Sequence, residues 1–185
     1  MANVSSGSTT VSDDQNGAWT VVTPAFGNSR GIFFAYFLNT VGGVKPTVSY
    51  TSITGATASE FFIAEYSGVA LTSALDQVAS HFSSSNSNTA ATGNITYGTA
   101  GELVVAAGFN NTGSTISNGT IDIRQNPNTV EFYGDDNNTA TSPFNASVGF
   151  AASVAWGIAA ITFKPVASSG GGNNNAGLLR LLGVN

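Results

Sequence analysis

The chain has 185 residues, enough for one well-packed domain and too few for two comfortable ones. Its apolar fraction is ordinary at 42%, but only 8% of residues are charged, against a usual share of about 25%. Net charge is −5, with five scattered basic residues (Arg30, Lys45, Arg124, Lys164 and Arg180), which excludes the basic stripe that nucleic-acid binding requires. There is no cysteine, hence no disulfide and no thiolate metal site, and the single histidine, His81, excludes a multi-histidine centre within one chain. No run of about 20 apolar residues is present to span a membrane. Ser, Thr, Asn and Gly take the place of charge, a composition suited to extracellular β-proteins. Aromatic and β-branched residues are too plentiful for a disordered chain. The opening Met-Ala-Asn-Val-Ser-Ser has neither a charged n-region nor an apolar h-region. It reads as a module whose leader has been removed, or one excised from a longer chain.

In chain order, residues 1–17 are polar and end in Asn16-Gly17, a strong hairpin signal. Residues 18–23 read as a strand closed by Pro24, and 31–38 as a second, strongly aromatic one. Residues 46–52 alternate apolar and polar, as in a half-exposed strand. Residues 61–69, Phe-Phe-Ile-Ala-Glu-Tyr-Ser-Gly-Val, are apolar on both alternating faces, which predicts a central strand covered on both sides. Glu65 within it reads as a structural buried acid, bonded to backbone or to Arg30 or Arg124. A single helical turn is expected around residues 73–76, then a short strand at 78–82, a polar tip at 83–88 and a strand at 91–97. Residues 102–109, 120–124, 130–133, 147–150 and 153–163 complete about ten short strands. Turn signals every 8–15 residues predict an all-β, antiparallel two-sheet β-sandwich, jelly-roll-like, over residues 1–167.

Ser168 to Asn175 is a linker by composition. Beyond it lie four of the eight leucines in the chain, in Leu178-Leu179-Arg180-Leu181-Leu182-Gly183-Val184-Asn185. Such a tail is too short for an independent helix and hazardous if exposed. It therefore reads as a strand, residues 176–185, that completes a sheet of the same or a neighbouring subunit. Leu178, Leu179, Leu181, Leu182 and Val184 are the candidate assembly residues, and self-association is the expected partner interaction.

Four segments carry a resemblance: Val11-Ser-Asp-Asp-Gln-Asn-Gly-Ala-Trp19; Ile63-Ala-Glu-Tyr-Ser-Gly-Val69 with Leu75-Asp76; Gly101-Glu-Leu-Val-Val-Ala-Ala107; and Ala155-Trp-Gly-Ile-Ala-Ala-Ile-Thr-Phe-Lys-Pro165. Together they resemble bacterial secreted β-sandwich modules found as repeats or appendages of large extracellular proteins. The resemblance implies a fold and a cell-surface or extracellular setting, and no shared chemistry. In such modules an apolar strand precedes the Asp-Asp-Gln-Asn-Gly turn. Residues 1–10 are too polar for that, which points to the tail as its replacement, in cis as in a circular permutation or in trans as in donor-strand exchange.

The chemistry that remains is thin. Glu65 with Glu102, Asp76 or Asp122 is the one candidate carboxylate pair for glycoside hydrolysis, weighed against Glu65 as a tether. Asp13, Asp14 and Asn16, and Asp135 and Asp136, lie in oxygen-rich loops able to hold calcium or, equally, to make turns. Trp19, Trp156, Tyr36, Tyr50, Tyr66, Tyr97 and Tyr133 are core residues or, in part, a platform for polysaccharide. Six Asn-x-Ser/Thr sequons, at Asn3, Asn94, Asn110, Asn118, Asn137 and Asn145, follow largely from composition. The expectation is a non-enzymatic structural or adhesive module, a filament subunit assembling by strand exchange, with a carbohydrate-binding module as the alternative.

Overall fold

A computed structural model describes residues 9–27, 30–40, 43, 45–51, 60–136, 143–167 and 177–184. The fold is all-β, an antiparallel β-sandwich with no helix among the described residues. Its strands are β1 (Val11–Asp13), β2 (Gly17–Ala18), β3 (Thr20–Gly27), β4 (Arg30–Leu38), β5 (Val48–Tyr50), β6 (Phe61–Val69), β7 (Leu75–Ile95), β8 (Leu103–Asn110), β9 (Ile116–Asn118), β10 (Asp122–Gln125), β11 (Glu131–Asp136), β12 (Phe144–Phe163) and β13 (Gly177–Val184). They form three sheets rather than two: a small one ordered β2-β1-β5, a middle one ordered β3-β4-β13-β6, and a large one ordered β10-β11-β8-β12-β7 with β9 beside β12.

Alternation along β8 and β4 explains the layering. Leu103, Val105, Ala107 and Phe109 of β8 face the middle sheet, where they meet Ile32 and Phe34 of β4, Phe62 of β6 and Leu179 of β13. Val104 and Ala106 point the other way, into a second core. Phe33 and Ala35 of β4 pack outward against Val11 and Trp19, beneath the small sheet. β8, apolar on both faces, is thus buried on both.

The second core is built by the large sheet folding back on itself. β12 alternates buried and half-buried from Phe144 to Phe150, is exposed at 151–153, and is almost wholly buried from Val154 on. The register against β7 jumps between Gly149 and Val154, opposite Thr89 and Ser87, so several extra residues on β12 turn the corner. β7 bends with it: His81 Nδ1 lies 3.2 Å from the Ala91 carbonyl oxygen, ten residues along the same strand. Close approach inside the large sheet demands glycine at Gly108. A Cβ there would stand 2.4 Å from a ring carbon of Phe132 and 2.5 Å from the Gly157 carbonyl.

Several sequence expectations change. The segment 83–88 is strand, not a tip, paired with β12 at Ser83 and Ser87, and 147–150 joins 153–163 in one strand, with the register shifting at the corner. No helical turn forms at 73–76: Ser73 adopts φ +47 and β7 begins at Leu75. Pro24 does not close β3. The strand passes through it with a register shift between Val22 and Ala25, where a missing N–H is tolerated.

Candidate functional site

The feature that separates this sandwich from a simple one is the place of β13. It pairs antiparallel with β4 on one side, Leu179 opposite Leu38 through Val184 opposite Phe33, and antiparallel with β6 on the other, Gly177 opposite Val69 through Val184 opposite Phe61. β4 and β6 therefore run parallel to each other, two strand spacings apart, about 9–10 Å. The tail fills the slot between them. Leu178, Leu181 and Leu182 take register places along it, and Leu179 is fully buried in the sandwich core. Gly183 stands opposite Phe34 and Phe62, both buried, so a glycine of the strand meets a large buried ring on each wall.

Both walls of the slot are fastened to the opposing sheet without β13. On β6 the Tyr66 hydroxyl donates to Asp135 Oδ2 at 2.7 Å, which leaves the Tyr133 hydroxyl to donate to the Tyr66 oxygen. Asp135 also accepts a two-pronged bond from Arg124, 2.7 Å at its shortest. Burial, followed by the neighbouring Tyr133 and Asp135, pushes the Tyr66 hydroxyl far above its ordinary range. Burial and Asp135 push Tyr133 up to about 12. Both phenols stay protonated donors. Past its end β6 is held by the segment after β12: Ala70 N–H donates to the Lys164 carbonyl and Val166 N–H to that of Gly68. On β4, Arg30 Nη1 bonds Glu131 Oε1 at 3.0 Å, with its guanidinium 4.9 Å above the Phe109 ring. These ties join residues 67 to 101 positions apart, so no local motif announces them.

The expected buried acid is not one. Glu65 is exposed on β6, whose outward residues Ile63, Glu65 and Ser67 are all exposed while Phe62 and Val69 are buried. Among the described residues β6 is an edge strand whose outer face is covered only at Phe61, which packs against the cluster of Val11, Trp19, Phe33 and Ala35; with Ile63 it gave the look of a strand covered throughout. Arg30 and Arg124, its anticipated partners, hold Glu131 and Asp135 instead. Glu65 lies opposite position 180 in register.

The oxygen-rich loops are occupied by the protein's own donors. Asp13 Oδ1 accepts the N–H of Gln15 and Asn16, and Oδ2 accepts Trp19 Nε1 at 2.8 Å. Burial alone would raise this carboxyl; the donors from Asn16, Gln15 and Trp19 outweigh it and hold Asp13 below its usual range. Asp14 Oδ1 accepts Thr47 N–H, and Gly17, with φ +85, closes the turn from β1 to β2. Asp135 is committed to Arg124 and Tyr66, and its neighbour Asp136 stands at the end of β11. Among the described residues no three acidic or histidine side chains converge as a metal set would.

Of the candidate carboxylates, the structure brings together Asp76 and Glu102. Lys164 Nζ lies 3.2 Å from Asp76 Oδ1, and Gly98 N–H donates to Oδ2. Glu102 is 1% exposed and offers a sugar no approach. Neither of its oxygens has a partner at ordinary hydrogen-bond geometry; its polar neighbours are Thr162, Asp76 and the Thr99 amide. Burial first, then the Asp76 charge, raises the Glu102 carboxyl, so the folded protein keeps a proton that the unfolded chain releases. The stability this confers is complete below the unfolded carboxyl range and lost as pH rises through the folded value. Glu102→Gln is expected to melt like wild type near pH 4 and higher near pH 8. The gain is about 1–3 kcal/mol, the usual cost of a buried unmet group. Asp76, held low against burial by Gly98, Lys164 and Gln77, keeps its opposite slope in both proteins. Thermal melts at the two pH values check this; equal shifts at both would remove the explanation.

Aromatic rings are core. Trp19, Trp156, Tyr97 and Tyr133 are buried, Tyr36 and Tyr66 partly so. Tyr50 alone among the described tyrosines and tryptophans is exposed, its ring 4.1 Å from that of Phe61. His81 packs edge-on to Trp156 at the corner of the large sheet. The sequon at Asn110 is closed to modification, since its side chain is fully buried and bonded to the Ser114 and Thr129 carbonyls. Asn118 and Asn145 accept the N–H of Ile123 and Gly93; Asn94 lies on β7; Asn3 and Asn137 fall outside the described residues. No described helix is long and apolar enough to cross a membrane. No protein-family model, no curated protein and no solved structure matches the chain.

Proposed function

We propose that the protein is a non-enzymatic extracellular structural or adhesive module, of the kind the bacterial secreted β-sandwich modules represent, whose copies associate by exchanging β13. One observation carries this reading. The slot's walls are tied to the large sheet by the Tyr66–Tyr133–Asp135–Arg124 chain and by Arg30–Glu131, contacts that do not involve the strand filling the slot. A slot that keeps its walls in place suits a strand delivered from elsewhere. The tail is attached through residues 168–176, nine residues that extend to at most about 30 Å, enough to reach a neighbouring copy. The same contacts then form in trans as in cis. Reciprocal exchange closes a dimer; head-to-tail exchange leaves an open slot and a free tail at the ends and propagates a filament. The low-charge surface of hydroxyls and amides fits an extracellular setting.

Isotopically heavy and light full-length protein, mixed at high concentration through mild denaturant and returned to buffer, tests this. Native mass spectrometry and light scattering are expected to show mixed dimers and longer species. Monomers alone at every concentration, with no mixed species, overturn it.

A further inference from the structure

A strand entering a slot must find one register, and a repetitive strand finds it poorly. β13 is repetitive: Gly177-Leu178-Leu179-Arg180-Leu181-Leu182-Gly183 reads the same in both directions about Arg180. Its one charge lies at the centre. The walls are as plain. β4 from Arg30 to Leu38 has no acid, and β6 from Phe61 to Val69 has one, Glu65. The register sets position 180 directly opposite Glu65 on β6 and opposite Phe37 on β4. Residues so placed on antiparallel neighbours share a face with Cβ atoms roughly 4.5–5.5 Å apart, where opposite charges attract and like charges repel.

Slipping the strand shows what this pairing does. A one-residue slip sets position 180 opposite Ala64 or Tyr66, the partly buried positions that face the sandwich core, where an unpaired cation is costly. A two-residue slip keeps the face but sets it opposite Ile63 or Ser67, neither of which carries charge. It also brings Leu181 or Asn185, according to its direction, into the place of Gly183 between Phe34 and Phe62. Only the observed register satisfies both the charge and the packing.

We infer that Glu65 is the specificity determinant of the slot: it selects an extended apolar segment with a cation at its centre, and the matching segment is residues 177–184 of a second copy. The inference rests on the strand-exchange reading above and adds to it the rule by which a copy recognises its partner. Selection acts by exclusion as much as attraction, since a segment with an acid at its centre meets a like charge. Glu65 is exposed, so the effect is moderate and falls with salt.

Two full-length reversals test it. Glu65→Arg places like charges in its own slot, and so does Arg180→Glu. Reciprocal exchange between these two variants matches both slots. A 1:1 mixture, carried through mild denaturant and analysed by native mass spectrometry, is expected to give the mixed dimer in at least about fivefold excess over the two homodimers together, where chance gives equal amounts. The excess is expected to shrink in 1 M salt. A statistical 1:2:1 distribution overturns the inference. If heavy and light wild-type chains form mixed species in the parallel experiment, the exchange reading survives that result; if they do not, it fails as well. Should either reversal fail to fold, Glu65→Gln and Arg180→Gln replace them. Each is then expected to speed wild-type strand exchange equally, and the double variant no further. Additive effects overturn the inference.

Discussion

A chain ended at Ala167 is expected to lose at least about 10–20 °C of its unfolding midpoint, and a synthetic peptide of residues 177–184 to restore much of it. Leu179 is fully buried, and truncating such a leucine typically costs about 2–5 kcal/mol. Removing β13 also strips β4 and β6 of a ladder each. Set against a usual total of about 5–15 kcal/mol, that is a large share. One kcal/mol moves the midpoint of a domain this size by roughly 2–4 °C. Peptide at about 100 times its dissociation constant returns about 2.7 kcal/mol by mass action. Thermal melts with and without peptide check both arms. An unchanged midpoint means the walls close over the gap and pair with each other. A lowered midpoint that no concentration of peptide raises means β13 forms only when delivered by its own chain, which counts against exchange.

Asp135→Ala is expected to cost about 2–3 kcal/mol, or roughly 4–12 °C. The change leaves the half-buried Tyr66 hydroxyl without its acceptor and frees Arg124, while Tyr133 keeps the Tyr66 oxygen. Breaking a buried ion pair costs more, about 3–5 kcal/mol, but Arg124 is half exposed and its charge is partly met by water. The loss falls on one wall of the slot, so strand exchange in this variant is expected to quicken. A chelator is expected to leave the wild-type midpoint where it is, because Arg124 and Tyr66 already take the oxygens of Asp135 that calcium would need. A fall on chelation would return Asp135 and Asp136 to the role of metal ligands.

Much of the architecture was legible in the residues. Alternation at 46–52, the apolar run at 102–109 and the hairpin at Asp13–Gly17 are short-range signals, and each corresponds to a strand or turn. The leucine-rich tail also declared itself a strand, because an apolar segment of that length has to be covered. What misled was chemistry on the surface of a strand. Ile63 is as apolar as any core residue and is the most exposed large hydrophobic on β6. A pattern of residue types does not say whether a second sheet reaches over that face, so Glu65 read as buried when it lies in solvent. The corner of the large sheet was hidden as well: Ser83 to Asn88 is as polar as a loop, yet it lies within β7 and pairs with β12 at Ser83 and Ser87.

By itself, then, the sequence determined the class: an all-β chain, one domain's worth of core, a tail that must be buried, and no thiolate or multi-histidine chemistry. These depend on composition and on spacings of two to eight residues, which any chain carries openly. Only the tertiary structure decided where the tail goes and what holds its place. The slot is made by β4 and β6, the tail arrives from more than a hundred residues downstream, and the ties that hold the walls span 67 to 101 residues. Pairing over such distances is set by which buried donor finds which buried acceptor once the layers close, and the spacing of residues along the chain holds no record of it.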